Sequence, residues 1–305
     1  MIKKILRKIR NLFSFKEIHR SYRIDGTTYR SFDKDYFVKE TYPNFSEEFY
    51  KFKLLLNQLM SDRGSATFYK FGDGDFYFLQ GLPVGSAKPG NRALSLDYSQ
   101  IDMNFFVTSS KKCSYYLCEI PLHNRNLFEQ TFKLIKPDFP AEFIYGLVAN
   151  RWLFQNARLH GLKVGLIGAS EKLKIINELF NFEPYAEYIG TESFDEYIEI
   201  PQQFACDDVF GLIEGLKMKL QNSDCDIFFI GVGHVKSGIL SQLTKMKSAI
   251  YVDIGSGIDA LAGIVDTNRP YFGKWKNYTL PDSSMYEGVD YLQFNNKNRI
   301  FLTKK

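Results

Sequence analysis

The 305-residue sequence predicts an α/β fold, a parallel sheet with helices on both faces. Three observations carry this expectation. Residues 162–167, 226–230 and 249–254 are short and almost continuously apolar, the pattern of strands buried on both faces. Segments 171–180, 207–220 and 235–245, which adjoin them, space their apolar residues as amphipathic helices do. The three runs also stop at glycine-bearing turns: Gly168-Ala169-Ser170, Gly231-Val232-Gly233-His234 and Asp253-Ile254-Gly255-Ser256-Gly257. Strand, glycine turn and helix in alternation describe a Rossmann-like open sheet.

The earlier elements are read the same way. The spacing of Phe49, Phe52, Leu55 and Leu59 predicts a helix over 45–60, and 66–71 reads as a strand running into Gly72-Asp73-Gly74-Asp75. Residues 76–82 continue into a helix or turn, and 83–92, rich in Gly, Pro and Ser, read as a mobile loop. A strand is expected over 114–120, helices over 126–135 and 141–159, and a weaker strand over 187–190. The chain divides into a basic amphipathic helix over 1–16, an irregular lead-in over 17–44, an α/β domain over 45–280 and a C-terminal tail over 281–305.

Composition narrows the function classes. Hydrophobic residues make up 45% and charged residues 24%, with 28 Phe and 19 Tyr, enough for a large core. The net charge of +4 is concentrated at one end: Lys3, Lys4, Arg7, Lys8, Arg10 and Lys16 are unopposed by any acid within 1–16. The rest of the chain is slightly acidic, which argues against a nucleic-acid-binding face. Ile2, Ile5, Leu6, Ile9, Leu12 and Phe13 lie at helical spacing between those cations, so this segment suits either an anionic membrane surface or packing on the domain. Cys113, Cys118, Cys206 and Cys225 form no CxxC pair, so neither a zinc cluster nor a disulfide framework is expected. No apolar run approaches the ~20 residues that span a bilayer, and no secretory signal pattern is present. The expected location is the cytoplasm, at the inner face of the cell membrane if residues 1–16 bind lipid.

Ligands of open α/β sheets bind beyond the carboxyl ends of the strands, where glycine turns let the following helix offer free N–H groups to an anion. Glycine is also common at such turns for steric reasons alone, so both readings stand at Gly168, Gly231 and Gly233. Asp73 and Asp75, one residue apart and flanked by glycine, can approach one small ligand together. Mg²⁺ or Mn²⁺ suits two carboxylates plus phosphate oxygens. Without metal, a carboxylate here orients hydroxyls or acts as a base, and Asp-Gly also favours a plain solvated turn. His234 suits a phosphate contact or a local hydrogen bond. Arg151 and Trp152 suit a phosphate clamp and a ring platform, or helix surface and core. Tyr271-Phe272-Gly273-Lys274-Trp275 suits sugar stacking or simple packing.

Lys70-Phe71-Gly72-Asp73-Gly74-Asp75-Phe76, with Gly81 following, resembles the (R/K)FGDGE segment of the GT-D type glycosyltransferases, formerly a domain of unknown function. The resemblance extends to Asp226-Ile227-Phe228-Phe229-Ile230-Gly231-Val232-Gly233 and to the strand ending in Asp253-Ile254-Gly255. It implies a GT-D type fold and transfer of a hexose from a nucleotide diphosphate sugar, UDP-linked by resemblance, to a glycan or lipid-linked acceptor. It carries the acidic pair onto Asp73 and Asp75, as catalytic residues and as metal ligands if Mn²⁺ or Mg²⁺ is used. The expected donor contacts are Lys70, Gly72, Gly74, Gly168, Ser170, Gly231, Gly233, His234 and Asp253. Asp75 stands where the family has Glu, and Ser256-Gly257-Ile258-Asp259 stands where the family has a His and an acidic–aromatic stretch.

Two other functions compete. Tyr251-Val252-Asp253-Ile254-Gly255-Ser256-Gly257 mimics the turn that cradles S-adenosylmethionine in methyltransferases, but that turn opens its domain and is followed by several βα units of about 30 residues each. A catalytically silent nucleotide- or glycan-binding module would keep the same turns.

Overall fold

The computed structural model describes residues 21–24, 27–30, 45–82, 96, 98–120, 122–201, 205–264, 275, 278–287, 289 and 300–301. The segment 1–16 and the loop 83–92 lie outside these residues, as do Tyr271, Phe272, Gly273 and Lys274.

In chain order the elements are β1 (Ser21–Ile24), β2 (Thr27–Arg30), α1 (Phe45–Ser61), β3 (Ala66–Phe71), α2 (Asp73–Leu79), α3 (Met103–Ser110), β4 (Tyr115–Cys118), α4 (Leu122–Phe132), β5 (Phe139–Pro140), α5 (Ala141–Ala149) and α6 (Trp152–Leu159). There follow β6 (Val164–Ala169), α7 (Ser170–Leu179), α8 (Glu183–Ile189), β7 (Glu196–Ile200), α9 (Val209–Gln221), β8 (Ile227–Gly231), α10 (Lys236–Met246), β9 (Ile250–Asp253), α11 (Gly257–Leu261), β10 (Tyr278–Thr279) and β11 (Ile300–Phe301). Strands β3 to β9 form one seven-stranded sheet in the order β5-β4-β3-β9-β8-β6-β7. Every pairing in it is parallel. The fold is α/β and Rossmann-like, as the apolar runs indicated. No helix among the described residues is long and apolar enough to cross a membrane.

Side chains alternate along each strand and feed two separate cores. On one face Phe68, Phe229 and Val252 pack with Phe52 and Leu56 of α1, Leu147 of α5 and Phe154 of α6. On the other face Tyr69, Phe228 and Tyr251 pack with Phe106 of α3, Phe128 of α4, Leu216 of α9 and Leu240 of α10. Carboxylates fasten the amino ends of the strands. Asp195 accepts from the Val164 N–H at 2.6 Å, Asp226 from the Lys163 N–H at 2.9 Å and Asp138 from the Tyr116 N–H at 2.7 Å. These acids are committed to the end of the sheet opposite the glycine turns.

Several elements differ from the sequence reading. The strand expected at 187–190 is helical: Pro184 sits in the first turn of α8, and Tyr185 and Ile189, one turn apart, are its buried stripe. The strand lies further on, in β7, whose exposed Glu199 between buried Ile198 and Ile200 marks it as an edge. The single helix expected over 141–159 is two, because Arg151 takes a left-handed conformation (φ 67°) between α5 and α6. α3, β5 and α11 were not anticipated. Within the stretch read as an irregular lead-in, β1 and β2 pair antiparallel, and β10, at the end of the α/β domain, pairs in parallel with β11 of the stretch read as a tail.

Gly165 on β6 leaves the space that Phe228 of β8 fills: a Cβ there would lie 2.5 Å from the Phe228 ring, which stacks on Tyr251 with centroids 5.3 Å apart. Gly165→Ala is therefore expected to destabilise the fold by about 1–3 kcal/mol through overpacking. Urea unfolding measures this; an unchanged midpoint would show that the Phe228–Tyr251 stack is free to shift.

Candidate functional site

A cleft of ≈ 420 Å³ opens at the carboxyl ends of β3, β8 and β9. The β3–α2 turn contributes Gly72, Asp73, Gly74 and Asp75, and the β8–α10 turn contributes Gly231, Gly233, His234 and Lys236. The end of β9 adds Asp253, Gly255 and Ser256, while Glu119, Asn124, Tyr145 and Lys172 line the remaining walls. The acidic motif and two of the three glycine-edged strand ends thus share one depression. The third does not: Gly168 and Ser170 are not among its lining residues.

The two motif carboxylates do different things. α2 starts at Asp73, earlier than the sequence suggested, so both acids fall in its first turn. Asp73 is exposed, and among the described residues its Oδ1 accepts only from the neighbouring Gly74 N–H, at 2.8 Å. Asp75 is 4% exposed, and its Oδ2 accepts from the Gly72 N–H at 2.8 Å, closing the helix start. The same oxygen lies 3.0 Å from the Lys236 ammonium.

Lys236 is the centre of this arrangement. Its Nζ donates to Asp253 Oδ2 at 2.8 Å and to the Lys70 backbone carbonyl, and it pairs with Asp75. The ammonium also lies 4.9 Å from the centroid of the Tyr69 ring. Asp253, 1% exposed, is fully engaged: Oδ2 also takes the Lys70 N–H at 3.2 Å, and Oδ1 takes the Gly255 N–H at 2.9 Å. The side chain of Lys70 leaves on the opposite face of the sheet and donates to the Tyr145 hydroxyl at 2.9 Å, which reaches Glu119 Oε1 at 3.4 Å. Lys172 pairs with Asp259 at 2.5 Å.

The glycines divide accordingly. A Cβ on Gly231 would collide with Ile258, and one on Gly168 would press on Ile258 and Leu173, so both make room for α11 and α7. Gly255 has φ +51°, and its missing Cβ leaves space for the Lys70 side chain. Gly233 has φ +60° with nothing near its absent Cβ, an open turn that no side chain caps. Ser170 bonds Glu171 at 3.0 Å. Arg151 lies over the Tyr188 ring at 4.5 Å, and Trp152 lies beneath Lys53 at 4.9 Å; neither lines the cleft. Trp275 is buried in the core, its Nε1 donating to the Val148 carbonyl at 3.0 Å.

His234 stacks on Phe78 with centroids 5.2 Å apart. Burial lowers its pKa below the ordinary 6.5, an effect that the Asp75 charge opposes and Lys236 reinforces. The ring is neutral at pH 7 and can exchange hydrogen bonds with a ligand without adding charge. The cysteines are all free, and burial raises the Cys206 and Cys225 thiols to about 12, so these two supply no thiolate.

Among the described residues the lining thus holds five carboxylates, Asp73, Asp75, Glu119, Asp253 and Asp259, against the three lysines Lys70, Lys172 and Lys236. Among the described residues no group of three or more His, Cys, Asp and Glu side chains is placed to hold a metal. Asp75 Oδ2 is already taken by Lys236, so Asp73 and Asp75 do not present an open two-carboxylate seat. Asp73 alone is open, which fits Mg²⁺ or Mn²⁺ bound chiefly by substrate phosphates and water rather than by a protein cage. Sequence reasoning missed Lys236, Tyr145, Glu119 and Lys172. Only Lys236 carried a signal, a lysine in the first turn of a helix, where the helix dipole disfavours a cation.

Asp75→Asn is expected to cost about 1–3 kcal/mol, since it removes one of the two carboxylates on the buried Lys236 and weakens the bond to the Gly72 N–H, whereas Asp73→Asn stays within about 0.5 kcal/mol of the parent. Equal effects of the two in urea unfolding would contradict this division. For His234, the unfolded chain takes up a proton near pH 6.5 while the folded chain resists it. Stability therefore falls as pH drops from 6.5 towards the lower folded value. His234→Gln should flatten that limb of a stability–pH curve; a slope identical to the parent's assigns it to another group.

Comparison with known proteins leaves the site to be read on this geometry, for no family model, no curated protein and no solved structure matches the chain.

Proposed function

We propose that the protein is a GT-D type glycosyltransferase that moves a hexose from a nucleotide diphosphate sugar to a glycan or lipid-linked acceptor. The observation that carries the reading is the meeting of an exposed motif carboxylate, Asp73, with the open Gly233–His234 turn and Lys70 in one cleft at the carboxyl edge of a parallel sheet. Such an edge is where open α/β sheets bind nucleotides.

In this reading the diphosphate lies along the β8–α10 turn, which no side chain caps, so its backbone N–H groups face an anion. Among the described residues the Lys70 ammonium has one neutral partner, Tyr145, which leaves two further N–H bonds to give. Neutral His234 adds a hydrogen bond without repelling the nucleotide or attracting a second anion. Asp73 accepts hydrogen bonds from sugar hydroxyls and holds the anomeric carbon towards the acceptor. As the bond from that carbon to the diphosphate breaks, its electron pair leaves with the nucleoside diphosphate. A new bond forms to the acceptor oxygen, whose proton passes to a carboxylate of the cleft. A divalent cation bound with the donor would offset the charge building on the leaving diphosphate. The excess of carboxylates over lysines in the lining favours such company for a polyanion.

The methyltransferase reading has less support. The glycine of its mimic, Gly255, is occupied by the passage of Lys70, and β9 is reached after the other six strands of its sheet.

A thermal-shift panel of nucleotide sugars with and without Mn²⁺, followed by a donor-hydrolysis assay, tests the proposal. At least one nucleotide sugar should raise the melting temperature and be hydrolysed slowly, and Asp73→Asn should lower that turnover by about 10²-fold or more. Stabilisation by S-adenosylmethionine alone would reverse the assignment, and binding without any turnover would favour a silent module.

A further inference from the structure

We infer that Lys236 is a resident counter-ion that keeps the buried Asp75–Asp253 carboxylate pair from taking up a divalent cation. This goes beyond the transferase reading and holds whatever ligand the cleft serves.

Three oxygens converge on the Lys236 ammonium: Asp253 Oδ2 at 2.8 Å, Asp75 Oδ2 at 3.0 Å and the Lys70 carbonyl oxygen. An ammonium has three N–H bonds, and each has an acceptor here, so Lys236 has none left for a ligand. Two carboxylates and one carbonyl are also the donor set that a hard dication seeks. The side chains of Asp75 and Asp253 are 6% and 1% exposed, so their charge is poorly screened by water and requires a cation at close range. All three side chains line the cleft, which supplies a route for an ion from solvent. Lys236 also begins α10, the end of a helix that disfavours positive charge. The carboxylates are what hold it there. An ammonium in this seat carries half the charge of a dication and, being covalently tethered, cannot be lost to dilution or chelators.

The test uses the full chain and MnCl2 as the only added ligand. Mn²⁺ uptake is read by loss of the free-ion electron paramagnetic resonance signal and by the melting temperature. Wild-type protein should leave the signal unchanged and melt at the same temperature with or without millimolar Mn²⁺. Lys236→Met should melt lower, bind about one Mn²⁺ per chain at least about tenfold more tightly than wild type, and regain melting temperature on binding. The double variant Lys236→Met with Asp75→Asn should lose that uptake, which a merely structural lysine would not dictate. If Lys236→Met fails to fold, Lys236→Gln carries the same measurement. Wild-type uptake equal to that of the variant, or no uptake by either substitution, overturns the inference. Absence of nucleotide-sugar binding would fail the transferase reading while leaving this result untouched.

Discussion

One buried ammonium ties together the parts of the chain that make the cleft. Lys236 binds the carbonyl of Lys70 on β3, the carboxylate of Asp75 on α2 and the carboxylate of Asp253 on β9, while itself belonging to α10. Two stretches distant in sequence, β3–α2 and α10–β9, are thereby held at one point, at the end of the sheet where adjacent strands would otherwise diverge into loops. Buried ionic clusters gain little net stability over well-packed apolar residues, but losing one member is costly. Such a cluster fixes geometry more than it adds stability. Its neighbours Asp73 and Lys70 inherit that fixity: one is displayed to solvent on the turn that Asp75 closes, and the other is threaded past Gly255 to Tyr145.

The sheet was legible because its inner strands are buried on both faces and so write themselves as unbroken apolar runs. The exceptions have physical causes. β7 is an edge strand, and its alternation of Glu and Ile hid it beside the more apolar Tyr188–Ile189, which a helix buries instead. Neither Gly nor Pro marks the break at Ala149-Asn150-Arg151-Trp152; Asn150 is its local signal, its Oδ1 accepting the Trp152 N–H at 3.0 Å, and the left-handed Arg151 lays its guanidinium on Tyr188.

The site was legible as a place and less so as a set of roles. Glycines marked the strand ends correctly, yet Gly168 and Gly231 make room for Ile258, while the left-handed Gly233 and Gly255 bend the chain at the cleft. The acidic pair looked symmetrical in sequence. Its asymmetry comes from helix geometry: Asp75, two residues into α2, turns back onto the Gly72 N–H and into the interior, while Asp73 at the first position faces out. Glu119 and Tyr145 could not be found from the sequence because β4 and α5 reach the cleft through sheet order, not through any local pattern.

The order β5-β4-β3-β9-β8-β6-β7 has a consequence for how the chain assembles. Strands β3 to β5 form one half-sheet and β6 to β8 the other, and β9 alone joins them. Until β9 is synthesised, each half presents a raw edge, that of β3 on one side and that of β8 on the other, with unmet backbone hydrogen bonds. A nascent chain on the ribosome would therefore carry the β3 border from the completion of that strand until β9 emerges, joined by a second border once the other half-sheet is made. Completion of the sheet and creation of the Asp253 anchor arrive in the same stroke, so a chain stalled before that strand has neither a closed sheet nor a cleft.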